Sequence, residues 1–133
     1  MLLRPYFRLN CLSNGTAVKM IVLSWPNKTL SPNARPQWRA LWKATAAAKR
    51  EGWILARQAN LDLSALVGKK IPVHILVYPP DLARRDEDNL IASLKAVLDG
   101  VAFGLNVDDN RFSLSHTWCE VDRPKGRIEL RIG

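Results

Sequence analysis

The chain has 133 residues, 20 Lys plus Arg against 12 Asp plus Glu, and a formal net charge of +8. A chain of that length buries roughly two-thirds of its unfolded surface, enough for one core without disulfides or structural metal, and the 47% hydrophobic fraction argues against disorder. No apolar run approaches the roughly 18 residues that span a bilayer; Arg4, Pro5 and Arg8 break any secretory signal, and Cys11 and Cys119 stand in no ligand spacing, so the expected setting is the reducing cytoplasm, away from membranes.

Residues 1–19 lack clear periodicity and read as an N-terminal extension, with one domain over 20–133 beginning at the strand-like MIVLSW. PNKTLSPNARP is an irregular loop leading to a helix that starts near Pro36. In that helix Trp38, Leu41, Trp42, Thr45 and Ala48 recur at helical spacing as a core stripe, with Arg39, Lys43 and Arg50 on the opposite face; Gly52 is expected to weaken or end it, the alternative being that WILARQA continues the helix after a kink. IPVHILVY alternates as a strand that Pro79-Pro80 stops. A second helix follows from about Glu87 to Phe103, with Leu90, Leu94, Val97, Leu98 and Val101 inward and Asp88, Ala92, Lys95 and Asp99 on its polar face. The loop GLNVDDN, a strand in RFSLSHTWCEV, the turn Pro124-Lys125-Gly126 and a strand over 127–132 complete the chain. The expected fold class is α+β, a small mixed sheet with two main helices packed on one face in the order β-α-β-α-β-β. His74 and His116 fall within strand patterns as satisfied sheet histidines. The Trp residues read mostly as core, with Trp25 at a loop edge as the exception.

Charge is unevenly placed. Residues 1–50 hold nine bases and no acid, whereas residues 81–109 hold seven of the twelve acids against Arg84, Arg85 and Lys95. A basic body suits a polyanion, and an acidic island beside phosphates is tolerated mainly when cations neutralise it. Two like charges about 4 Å apart at an effective dielectric near 20 repel by about 4 kcal/mol, so converged carboxylates hold a proton or a divalent cation. Oxygen-only ligands suit Mg²⁺ or Mn²⁺. An EF-hand is excluded because Leu90 and Ile91 stand where it needs Asp/Asn and Gly. Against a metal stands ordinary local chemistry: Asp86 is placed as a helix N-cap, and Asp108-Asp109-Asn110 suits a turn.

The run RRDEDNLIASLKAVLDG followed by VDDNRF resembles the signature of the RusA-like Holliday-junction resolvases, and the likeness extends from WPNKTLSPNARPQW to PKGRIELRI, about residues 20–132. It implies a RusA-like fold and a homodimer that nicks four-way junction DNA symmetrically in recombination and repair. Mg²⁺, or Mn²⁺ in its place, is implied on Asp86, Asp88 and Asp109, with Asp108 as the neighbouring candidate. The family's catalytic lysine, four residues after the second Asp of DxDN, is replaced here by Ala92; Lys95, one turn further on the same face, is the substitute candidate. Arg85 and Arg84, preceding the motif, and Arg35, Arg39 and Lys43 are the candidate DNA contacts. The alternative is a non-catalytic basic DNA-binding module whose acids only cap helices. A DxD nucleotide-sugar transferase shares the metal chemistry but has too little room here for a donor-binding domain.

Overall fold

A computed structural model describes residues 7–11 and 17–133. Five strands, β1 (Phe7–Cys11), β2 (Ala17–Ser24), β3 (Ile71–Tyr78), β4 (Phe112–Trp118) and β5 (Arg127–Ile132), form one sheet in the order β1-β2-β5-β3-β4. β3 and β4 pair in parallel and the other neighbours are antiparallel. The helices are α1 (Trp38–Ala59), α2 (Glu87–Ser93) and α3 (Lys95–Gly104). The α+β class and the mixed sheet are as expected. The element order differs in two places: β1 adds a strand within residues 1–19, most of whose other positions lie outside the described residues, and the expected second helix is two helices meeting at Leu94. No helix among the described residues is long and apolar enough to cross a membrane.

Period-2 patterning explains the sheet. Leu130 of β5 lies between Ile21 of β2 and Ile75 of β3, and Ile128 lies between Leu23 and Val77. All six are buried on the face that meets Leu55 and Ala56 of α1 and Leu94, Val97 and Val101 of the α2–α3 segment. Each fully buried aliphatic side chain contributes about 2 kcal/mol. The opposite face is polar: His74 is bracketed by the hydroxyls of Ser115 (2.6 Å) and Thr117 (2.8 Å), and buried Glu129 accepts from Arg127 Nε at 2.6 Å. His74 is thus a satisfied sheet histidine.

α1 corrects two expectations. Gly52 does not end it; the helix runs on to Ala59 because the missing side chain lets α3 approach, and a Cβ there would overlap the carbonyl oxygen of Val97. Gly100 of α3 is the reciprocal contact, where a Cβ would overlap the carbonyl oxygen of Lys49. The helix starts after Gln37, its N-cap, leaving Pro36 before the cap. The second correction concerns Trp38, Leu41 and Trp42, read as core: they are 72%, 43% and 70% exposed, because the first turns of α1 lie beyond the layer that the sheet and α3 cover.

Candidate functional site

The stretch from Asp81 to Asp88 leaves β3 and turns into α2. Asp86 caps that helix, its Oδ1 accepting from the N–H groups of Asp88 (2.9 Å) and Asn89 (3.3 Å). Arg85 turns back: its guanidinium donates to Asp81 Oδ1 at 2.7 Å and to the carbonyls of Asp81 and Ala83, and it covers the Trp25 ring at 5.3 Å. The N–H of Ala83 and then the Arg85 guanidinium hold the Asp81 carboxyl below its ordinary value. Asp88, exposed in the first turn, has no side-chain hydrogen bond or ion pair among the described residues.

A shallow groove of about 250 Å³ opens beside this helix start, with Trp25, Lys28, Arg85, Asp86 and Asn89 among the residues that line it. Carboxylate, ammonium and guanidinium therefore border one space. Lys28 is a contribution that sequence reasoning missed; it sits in a loop read only as irregular, and its bordering position depends on the single turn of 3-10 helix over Lys28–Leu30. Glu87 adds a contact to the sheet, its Oε2 lying 3.5 Å from His116 Nε2 on β4. A larger cavity of about 1000 Å³ lies between β2, α1 and the turn before β5. Apart from Lys125, its charges are engaged with one another or with β2: Arg127 holds Asp122 and Glu129, and Glu51 accepts from Ser24.

The second acidic group stands further along. Lys95 Nζ lies 3.4 Å from Asp99 Oδ1 and 3.4 Å from Asp109 Oδ2. Proton sharing with the neighbouring Asp108 and Asp99 carboxyls and then the hydrogen bond from Lys95 hold the Asp109 carboxyl below its ordinary value, and the Asp99 charge above all raises the Lys95 ammonium. Asp108 caps the short turn Asp109–Arg111, its Oδ1 accepting from Asn110 N–H at 3.1 Å. Lys95 follows Asp88 by seven residues, about 10 Å along a helix. The acids thus form two groups: Asp86 and Asp88 at one end of the helical segment, and Asp99, Asp108 and Asp109 around Lys95 towards the other.

Against that arrangement, the Asp86, Asp88, Asp109 ligand set implied by the resemblance does not fit as a preformed centre. Asp109 is held by Lys95, and no group of three or more His, Cys, Asp or Glu side chains among the described residues is placed to hold a metal ion. Of the candidate DNA contacts, Arg84, Arg35, Arg39 and Lys43 are exposed, whereas Arg85 is half-buried and engaged by Asp81.

Fold and site together define an α+β domain that carries a DEDN helix start and a following Asp-Asp loop. No family model matches the sequence. A Xylella fastidiosa protein described only as uncharacterized is 37% identical over 117 residues, 86% of this chain and 76% of that protein, and this chain belongs to its family. Among solved structures, the OmpA-like domain of FopA1 from Francisella tularensis is similar with a TM-score of 0.45 at 11% identity, over 97% of this chain and 81% of that one, a likeness too weak to carry an argument.

Proposed function

We propose that the protein is a structure-selective DNA endonuclease of the RusA-like kind, hydrolysing a phosphodiester at four-way junctions. The observation that carries this reading is the groove at the start of α2, where Asp86 shares a space with Lys28 and Arg85. A phosphodiester needs cations to receive its charge and polar groups to orient the attacking water, and this groove borders both. Among the acids of the DEDN…DD signature, Asp88 has no side-chain hydrogen bond or ion pair to the described residues, which leaves its carboxylate available for chemistry. Lys95, seven residues after Asp88, lies 3.4 Å from Asp109, which ties the second half of the signature to the helical segment that starts at the first half. The exposed Arg35, Arg39, Lys43 and Arg84 supply sequence-independent attraction to the arms. The reading includes a requirement for Mg²⁺ or Mn²⁺, and a homodimer whose two sites nick opposed strands of a two-fold substrate.

The test is cleavage of a synthetic four-way junction with Mg²⁺ or Mn²⁺. Two nicked duplexes are the expected products, and Asp88→Asn is expected to bind junctions without cutting them. Cleavage by Asp88→Asn at the wild-type rate overturns the assignment.

A second reading is favoured by the capping roles of Asp86 and Asp108: a basic DNA-binding module in which the acids are structural. It predicts junction binding indifferent to metal and no cleavage under any condition.

A further inference from the structure

Trp38, Trp42 and Trp53 of α1 are 72%, 70% and 40% exposed. Separations of four and eleven residues, close to one and three turns, set them in one row about 22 Å long. Beside that row, one position further round the helix, Arg39, Lys43, Arg50 and Arg57 form a second row, all exposed. The rows touch: the Arg39 guanidinium lies over the Trp38 ring at 5.4 Å and that of Arg57 over the Trp53 ring at 5.9 Å. Trp38 and Trp42, the most exposed, add little to the core, and their place on the surface suits a ligand with apolar faces.

Charge selects that ligand. α1 carries five cations and one acid, Glu51, which is turned inward and accepts from the backbone N–H and the hydroxyl of Ser24. A second copy of this face would set cations against cations. Duplex DNA would satisfy the cations but leave the rings idle, because its bases are stacked on one another. Unpaired nucleotides offer both partners at once, phosphates for the basic row and planar bases for the aromatic row. Rings one helical turn apart, with Cβ atoms about 6 Å from each other, leave room for about one base between them.

We propose that this face of α1 binds single-stranded nucleic acid, with bases stacked on Trp38, Trp42 and Trp53 and phosphates held by the adjacent Arg/Lys row. Arg39 and Lys43 are shared with the cleavage reading, but no acid of the DEDN…DD signature lies on α1, so binding to this face needs no metal.

The experiment measures anisotropy of a labelled oligothymidylate about 12 nucleotides long, titrated with the full chain in metal-free buffer, against a blunt duplex of the same length. Wild-type protein should bind the single strand, more weakly as salt rises. Trp42→Ala should weaken that binding about tenfold and Trp38→Ala with Trp42→Ala about a hundredfold, while Trp42→Phe keeps most of it and duplex binding changes less than about twofold. Circular dichroism should show both Ala variants folded, as expected for exposed sites. Absence of single-strand binding by the wild type, or wild-type binding by the double variant, overturns the proposal. So does a variant whose only change is a smaller mass in sedimentation, which marks the face as a contact between copies, or whose only loss is binding to an acidic peptide.

Discussion

From Lys49 to Ala59, α1 lies against α3 so closely that glycines are required on both helices, and Leu55, Ala56 and Ala59 are buried. From Trp38 to Lys43 the same helix exposes every residue, including two tryptophans. Both halves keep the helical spacing of large apolar residues, yet only one is core. The difference lies in the small residues: Ala48, Gly52 and Ala56, four apart, mark the stretch where a neighbouring helix fits, and the exposed Trp38 and Trp42 lie outside it. Apolar periodicity identifies a face, and side-chain size along it shows what that face meets.

The sharpest way to break this comparison is to put a branched side chain into the close half. Gly52→Val and Gly100→Val each place a Cβ onto a partner's backbone carbonyl and should cost about 3 kcal/mol or more, read as loss of the cooperative urea transition. Leu94→Ala removes a side chain 1% exposed where α2 and α3 meet, with an expected loss of about 3 kcal/mol by the same measurement. Asp86→Ala removes the α2 cap and should cost about 1 kcal/mol, whereas Asp86→Asn, which still caps, should stay within about 0.5 kcal/mol of wild type. That pair separates capping from chemistry: under the nuclease reading, Asp86→Asn is stable and inactive. Trp38→Ala, in the open half, should shift stability by less than about 0.5 kcal/mol. A loss comparable to that of Leu94→Ala would show that the open half is packed after all.

The smallest expected effect concerns acid. Asp109 is held below the ordinary value of 3.8 by Asp108, Asp99 and Lys95, so its folded pKa lies below its unfolded one. The stability this contributes is present above about pH 4 and is lost as pH falls through the lower folded value. Asp109→Asn should therefore flatten the acid limb of a stability–pH curve by lowering its neutral plateau towards the acid value.

Much of the sheet was legible because its signal is local: the alternations in 71–78 and 127–132 place Ile75, Val77, Ile128 and Leu130 inward, as observed. The buried stripe of α2 and α3 was legible for the same reason. β1 was not, since its pairing with β2 depends on a partner that sequence spacing does not name. The break at Leu94 also carries no proline or glycine to announce it. For the site, residue types were readable and distances were not. Asp86 and Asp108 stand where turn chemistry places caps, but the separation of Asp88 from Asp109 follows from the length of the intervening helices, and the engagement of Arg85 by Asp81 is a contact across a loop. Lys28 entered the groove through a turn whose position only the tertiary fold determines.

The backbone contact at Gly52 and Gly100 bears on aim as well as on stability. Two helices that meet without intervening side chains have little freedom to slide or roll, so the angle between them is nearly fixed. The tryptophan row rides on one and Lys95 and Asp99 on the other. The orientation of one set relative to the other is therefore fixed by two missing methyl groups.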